Sequence, residues 1–283
     1  MKEITLLDRV HAELLSYDGT MGIYINDFKG TIIEINSEEK FETASTIKSY
    51  ILACLYDEVE KGRKSLNDVL VYTRDNFIEG SGILRSLDFG VSMTVKNIAT
   101  LMIIVSDNIA TNMMIDYLGI DTINSFIKNQ GFSNTVLHNK LDFASYDKLG
   151  TTTPRDYAFL FERICTDELV SKKASQDMLE IFKKQHYNTM LTKQFSQALI
   201  DEDTYEEELI YVASKSGSMN ACRNDGGIVS TPYGKYIIVL MNKNFHDPVY
   251  YAEHPAIVFG AKISRLIFDQ YMALEGKLTY KIK

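Results

Sequence analysis

A serine and a lysine with a spacing suited to chemistry occur where the first long helical pattern of the chain begins. Ser45 is followed by Lys48, and apolar residues at helical spacing continue to about Glu60. Side chains three residues apart are neighbours on a helix, so the Lys48 amine can lie beside the Ser45 hydroxyl and accept its proton. Ordinary helices also contain this spacing, so the pair predicts a nucleophile only if other motifs accompany it.

Two more polar motifs follow and carry groups that can move protons or bind anions. Ser106-Asp107-Asn108 comes directly after the apolar run 101–105. Lys215-Ser216-Gly217-Ser218 ends the strand-like run 209–213. Each motif alone is weak evidence, whereas the ordered set favours one shared catalytic centre.

Together the motifs resemble the S-x-x-K, S-D-N and K-T-G set of class A β-lactamases and penicillin-binding proteins. Ser216 stands where that family has a threonine, which exchanges one hydroxyl for another. The run Thr151-Thr152-Thr153-Pro154 also resembles a threonine-rich stretch that precedes a helix in class A enzymes. The resemblance extends over residues 20–270 and implies acyl transfer through a covalent serine ester.

The resemblance implies a role for each polar side chain. Ser45 is the expected nucleophile, and Lys48 is the expected proton acceptor during acylation. Lys215 is expected to lower the pKa of Lys48 by its positive charge and to attract a substrate carboxylate. Ser106 would relay a proton to the leaving nitrogen, and Asn108 would hold Lys48 and the substrate amide.

Two backbone N–H groups are expected to stabilise the oxyanion. The N–H of Ser45 is free because it lies at a helix N-terminus, and the N–H of Ser218 is implied by the resemblance. Ser216, Gly217 and Ser218 are expected to contact the substrate. Asp107 is expected to have a structural role, with its side chain bonded within the turn.

One departure from class A enzymes concerns the release of the acyl group. Those enzymes position the hydrolytic water with a glutamate on a loop before the threonine-rich stretch, but this chain has no Glu between Phe132 and Pro154. Asp142 or Asp147 could replace it only if the loop brings one of them inward, and solvated carboxylates are expected at both. The sequence therefore predicts acylation with slow deacylation.

Other residues with ligand-binding groups receive no role. Arg223 could bind a substrate carboxylate, but its register fits poorly and a surface arginine is expected. Cys54, Cys165 and Cys222 are odd in number and far apart, so buried free thiols are expected. No spacing indicates a metal site or a cofactor, and the histidines without an assigned role are His11, His138, His186, His246 and His254.

Composition limits the possible partners. The chain has 283 residues, 45% of them hydrophobic and 24% charged, with a net charge of −8, which argues against nucleic acid and anionic membranes as partners.

No run of about 20 apolar residues or secretory signal is present, so a cytoplasmic location is expected. A chain from which such a signal had been removed would look the same and would be extracellular. A monomer that acts on a small β-lactam or a related amide or ester is expected.

Strand patterns at both ends of the chain and helical patterns between them predict an α/β plus α fold. A mainly antiparallel sheet flanked by helices would come from residues 1–44 and 206–283, and an inserted all-helical unit from residues 45–205, with the active site between the two. The predicted helices are 4–17, 45–60, 95–105, 109–118, one from Pro154, and 255–271; the predicted strands are 22–26, 31–36, 209–215, 227–231 and 235–242.

Three functional hypotheses remain open. The first is a class A β-lactamase-like serine hydrolase. The second is a penicillin-recognising peptidase, amidase or esterase that acts on a D-amino-acid peptide or another amide or ester. The third is a non-catalytic binding protein, against which the intact set of Ser45, Lys48, Ser106 and Lys215 argues.

Overall fold

Short and long strands are distributed along the chain in the computed structural model, which describes residues 4–143, 148–187, 189–196 and 210–279. The strands are β1 (Thr20–Asn26), β2 (Ile32–Ile35), β3 (Phe41–Glu42), β4 (Val69–Val71), β5 (Ser92–Thr94), β6 (Val136–Leu137), β7 (Gly150–Thr152), β8 (Tyr211–Ser214), β9 (Gly217–Met219), β10 (Cys222–Thr231) and β11 (Gly234–Lys243).

The main sheet is assembled from both ends of the chain, as the strand patterns predict. Its order is β2-β1-β11-β10-β8, with β9 paired to β10. All of these pairings are antiparallel. Strand β10 begins at Cys222 and not at the predicted Gly227, because the polar residues Arg223 and Asn224 pair with β11 and are buried.

Helices fill the middle of the chain and both flanks of the sheet. They are α1 (Leu6–Leu14), α2 (Ile47–Glu60), α3 (Val95–Ile104), α4 (Asn108–Leu118), α5 (Ile120–Asn129), α6 (Pro154–Cys165), α7 (Lys172–Lys183) and α8 (Pro255–Ala273). Helix α6 begins at Pro154, as predicted, and Thr153 caps it, with its side chain accepting from the Asp156 N–H. Short 3-10 turns lie at Ala44–Thr46, Arg74–Asn76 and Leu84–Ser86.

Alternation along the strands gives the sheet two apolar faces. On one face, Ile238 and Leu240 pack with α8. On the other, Ile237 and Val239 pack with α2 and the other middle helices. These faces confirm a mainly antiparallel sheet flanked by helices.

Two features of this packing position the functional motifs. Every residue of α2 from Ile47 to Glu58 is buried, so the helix that follows Ser45 has core on all sides. Met190 and Leu191 pack on the α8 face of the sheet, although they lie within the segment predicted to be helical.

No helix among the described residues is both long and apolar enough to cross a bilayer.

Candidate active site

The three polar motifs meet at one cleft of about 350 Å³. Its lining residues are Ala44, Ser45, Gly80, Ser81, Ser106, Asn108, Leu141, Phe143, Leu149, Tyr187, Thr189, Ser216, Gly217, Ser218, Met219 and Tyr250. Lys48 and Lys215 are fully buried and make contact with this cleft through Ser106. The structure thus brings every predicted site residue to one place.

Ser45 lies in the 3-10 turn Ala44–Thr46, two residues before α2 begins at Ile47 and not within that helix. Ala44 has a left-handed φ of 45°, an uncommon conformation for a residue with a Cβ. A Cβ at Gly217 would lie 2.7 Å from the Ser45 nitrogen, so the backbone of β9 can approach this turn only because residue 217 is glycine. This approach brings Ser218, the residue after Gly217, close to the turn that carries Ser45.

Lys48 contacts the second motif. Its Nζ donates to the Ser106 carbonyl at 2.7 Å, to Ser106 Oγ at 3.0 Å and to Asn108 Oδ1 at 2.9 Å. Within the described residues it makes no hydrogen bond with Ser45. Burial, followed by the Lys215 charge, lowers the pKa of Lys48 well below its usual value, and Asp107 opposes this. A lowered pKa favours the neutral amine, which can accept a proton.

Lys215 reaches the same hydroxyl from the sheet. Its Nζ donates to Ser106 Oγ at 3.1 Å and to the Ser216 carbonyl at 2.7 Å. Burial lowers the pKa of Lys215 to about 7, and Asp225 opposes this. The Ser106 hydroxyl therefore bridges two buried amines and can donate its own proton to another group.

The turn that carries Ser106 is fixed by its neighbours. Asp107 accepts from the Ile83 and Leu84 N–H groups at 2.7 and 2.8 Å and caps α4. Ser81 Oγ donates to the Ser106 carbonyl at 2.7 Å. Asp107 thus has structural contacts, and Ser81, which has no recognisable motif, is a cleft residue that sequence reasoning missed.

The strand that carries Lys215 has buried polar support. Tyr157 donates its hydroxyl to the Lys215 carbonyl at 2.7 Å. Asp225 Oδ2 accepts from Thr189 Oγ1 at 2.9 Å and from the backbone N–H groups of Met190 and Leu191 at 3.2 Å each. These contacts join α6 to the residue after β8, and β10 to the segment after α7, so no local pattern could have predicted them.

Glu42 is a buried acid next to the Ser45 turn that sequence reasoning also missed. Its Oε1 accepts from the N–H groups of Ala44 at 3.1 Å and of Leu149 and Gly150 at 3.2 Å. Oε2 is buried and has no hydrogen-bond partner among the described residues. Burial raises the pKa of Glu42, although the three N–H groups oppose this.

The loop before β7 supplies an apolar residue to the cleft. Asn112 on α4 holds Leu141, with Nδ2 donating to the Leu141 carbonyl and Oδ1 accepting from the Leu141 N–H, both at 2.9 Å. The Leu141 side chain lines the cleft, whereas Asp142 is exposed. Asp147 lies outside the described residues.

The prediction of a surface arginine at position 223 is wrong. Arg223 is only 1% exposed, because its guanidinium is enclosed by backbone carbonyls and aromatic rings. It donates to the carbonyls of Met219, of Cys222 at 2.8 Å and of Pro248 at 2.9 Å. Burial lowers its pKa.

The cysteines are free thiols in the structure. Cys54 and Cys222 are buried and Cys165 is partly buried. In the part of the chain that the structure describes, no group of three or more His, Cys, Asp or Glu side chains is placed to hold a metal ion.

Comparison with known proteins identifies the family. A model of the β-lactamase enzyme family matches residues 5–271. β-Lactamase L2 of Stenotrophomonas maltophilia is 28% identical over 168 residues, which cover 57% of this chain and 55% of that protein. The chain thus spans about half the length of this relative.

Solved structures show the same fold. A β-lactamase from Sphaerobacter thermophilus DSM 20745 has a TM-score of 0.82 at 26% identity, covering 97% of this chain and 99% of that one. A mutant of PBP-A, in an acyl-enzyme complex with penicillin G, has a TM-score of 0.82 at 26% identity, covering 95% of this chain and 96% of that one. This fold is that of serine β-lactamase-like hydrolases. The chain belongs to the β-lactamase enzyme family.

Proposed function

We propose that the protein opens β-lactam amides through an acyl-enzyme on Ser45 and releases the product slowly. The observation that carries this proposal is the Ser106 hydroxyl, which lies 3.0 Å from Lys48 Nζ and 3.1 Å from Lys215 Nζ in the cleft that Ser45 lines. Buried amines with lowered pKa values can exchange protons through a shared hydroxyl near neutral pH.

Acylation would proceed by attack of Ser45 Oγ on the β-lactam carbonyl. The new bond joins Oγ to the carbonyl carbon, and the backbone N–H groups of Ser45 and Ser218 stabilise the resulting oxyanion. The serine proton passes to the neutral Lys48 amine and through Ser106 to the nitrogen. The carbon–nitrogen bond breaks as that nitrogen is protonated, which leaves an ester on Ser45.

Lys48 must approach Ser45 for this transfer, since its amine bonds to Ser106 and Asn108 in the ligand-free structure. Catalytic hydrogen bonds often form only once substrate is bound. Asn108 and the hydroxyls of Ser216 and Ser218 would bind the substrate amide and carboxylate.

Deacylation needs a water molecule to attack the ester, and none of the described residues that line the cleft carries a carboxylate to activate it. Leu141 places an apolar side chain on the cleft wall, and the loop that carries it has no glutamate. The PBP-A mutant solved as an acyl-enzyme complex with penicillin G supports the formation of such an ester in this fold. A cytoplasmic location and a monomeric state stay predictions.

A second candidate is an esterase or amidase acting on an uncharged substrate. It is favoured by the cleft lining, which among the described residues contains hydroxyls, amides and apolar groups but no Lys, Arg, Asp or Glu.

The first test is labelling with a fluorescent penicillin. Ser45→Ala should abolish covalent labelling and the corresponding gain in intact mass, because in this proposal the Ser45 Oγ supplies the attacking oxygen. Ser133→Ala, which changes an exposed serine outside the cleft, is the matched control and should label as the wild type does. Undiminished labelling of a folded Ser45→Ala protein, or reversible binding without any adduct in the wild type, would contradict the proposal.

A further inference from the structure

An exposed tyrosine stands at the rim of the cleft beside the third motif. The Tyr250 side chain lines the cleft and is 58% exposed. Met219, which directly follows Ser218 on β9, lines the same cleft. An aromatic ring and a thioether together form an adaptable apolar surface that favours contact with another aromatic group.

Arg223 joins the two elements that carry this surface. Its Nη1 donates to the Met219 and Cys222 carbonyls in the β9–β10 turn, and its Nη2 donates to the Pro248 carbonyl at 2.9 Å. The guanidinium carbon lies 5.2 Å from the centre of the Phe245 ring and 5.3 Å from that of Tyr250. Arg223 therefore fixes the segment 245–250 against the β9–β10 turn and supports the Tyr250 ring.

The same segment is also held by His254, the residue that caps α8. His254 Nδ1 accepts from the Ala256 N–H at 3.1 Å at the start of α8, so its proton lies on Nε2. Nε2 donates to the Asp247 carbonyl at 2.7 Å. Arg223 and His254 thus bind the adjacent carbonyls of Pro248 and Asp247, so the segment that carries Tyr250 is fixed before any substrate arrives, which reduces the ordering cost of binding.

The position of this surface indicates which part of a substrate it contacts. Under the proposed function, the Ser218 N–H binds the carbonyl oxygen of the acyl group, so the next residue along β9 lies beside that group. An aromatic acyl substituent would meet Met219 and Tyr250. A charged substituent would meet no Lys, Arg, Asp or Glu among the described residues of the lining.

We propose that Met219 and Tyr250 form a subsite for an aromatic group on the acyl part of the substrate, and that Arg223 is the positioning residue that sets this subsite. The inference rests on the proposed function of Ser45 and adds the substrate class to it. Arg223 touches no substrate, since it acts through Met219 and Tyr250.

The experiment compares two β-lactams that share one bicyclic nucleus, one with a phenylacetyl and one with an acetyl side chain. Acylation rate constants are measured by rapid quench and intact mass. The wild type should acylate faster with the phenylacetyl compound, and Tyr250→Ala should reduce the ratio of the phenylacetyl to the acetyl rate constant by about fivefold to tenfold, because only the phenylacetyl compound loses a ring contact. Tyr250→Phe should restore the preference, because the ring and not the hydroxyl makes the contact.

Two more variants separate this subsite from general destabilisation. Arg223→Lys keeps the charge but loses the forked hydrogen bonds, so it should lower the ratio of the phenylacetyl to the acetyl rate constant. If Arg223→Lys fails to fold, the Tyr250 pair decides the proposal. Tyr233→Ala changes a tyrosine that is 43% exposed on the β10–β11 hairpin and should leave the preference intact.

The outcomes distinguish the two proposals. Acylation of the wild type without a preference, or a preference that survives in folded Tyr250→Ala, overturns the subsite and leaves Ser45 as the nucleophile. Absence of any adduct with either compound overturns both.

Discussion

At the scale of single residues, the two buried lysines have the most unusual environments. Neither amine has a carboxylate hydrogen-bonded to it in the described chain, and burial is the largest cause of the lowered pKa in both. Both amines donate to the Ser106 hydroxyl. A proton can therefore move between helix α2 and the sheet without either lysine leaving its position.

Lys215 should make substrate recognition depend on pH. Because its pKa is about 7, the amine is charged below that pH and neutral above it. A β-lactam with a free carboxylate should therefore lose its advantage in acylation rate over its methyl ester as pH rises through about 7. The ratio of the two acylation rates at each pH is free of the effect of pH on Lys48, because that effect is the same for both compounds.

The matched variant for this prediction is Lys215→Gln. It should flatten the pH dependence of the carboxylate-to-ester ratio, and it should slow the carboxylate compound more than the ester. If Lys215→Gln slowed acylation equally for both compounds, Lys215 would have no role in binding the substrate carboxylate and would keep only a role in proton transfer.

At the scale of elements, the Ser45 turn is held between β9 and β7. Gly217 approaches it from β9, and Glu42 accepts from Ala44 in the turn and from Gly150 at the start of β7. The left-handed Ala44 is thereby held where the Ser45 N–H can serve the oxyanion. The motif predicts the serine, but only the tertiary contacts give its N–H a fixed position.

Glu42 should affect both stability and acylation. Glu42→Ala leaves the N–H groups of Ala44, Leu149 and Gly150 without their acceptor, which should cost about 1–3 kcal/mol in the free energy of unfolding and slow acylation. Glu42→Gln keeps an acceptor oxygen, so acylation should stay close to that of the wild type. Denaturant titration and labelling rates check these expectations.

The pH dependence of stability tests the same carboxyl. Burial raises the pKa of the Glu42 carboxyl in the folded protein above the usual 4.5. Its contribution to the free energy of unfolding is therefore fully present below pH 4.5 and is lost as pH rises through the raised pKa. The free energy of unfolding of the wild type should therefore fall relative to Glu42→Gln over this window. A constant difference across the window would contradict the raised pKa.

At the scale of the whole molecule, the motifs and the strand periodicity predicted the sheet, its antiparallel pairing and the set of residues around the cleft. Ser81, Asp225 and Tyr250 were missed because their roles come from contacts between segments far apart in the chain. Arg223 was assigned to the surface because its register fits that of a carboxylate-binding residue poorly and an arginine without a partner in the sequence is usually solvated. Its burial depends on carbonyls and rings supplied by the β9–β10 turn and by residues 245–250.

The persistence of the acyl-enzyme is the prediction that involves the whole molecule, since the helical part, the sheet and the loop before β7 all line the cleft. A positioned general base contributes about 10²- to 10⁴-fold in rate, so deacylation without one should be slower by about that factor. We expect a burst of β-lactam opening close to one equivalent of protein, slow release, and an adduct visible by mass spectrometry.

Leu141→Glu tests the cause of this persistence. Leu141 lines the cleft with Ser45 and its backbone is held by Asn112, so a carboxylate there could activate water against the ester. Leu141→Glu should speed deacylation, whereas Leu141→Gln, of the same size but without a base, should not. Fast, sustained hydrolysis by the wild type without a detectable adduct would contradict slow deacylation. In that case, loss of turnover in Asp142→Asn or Asp147→Asn would identify the carboxylate that activates the water.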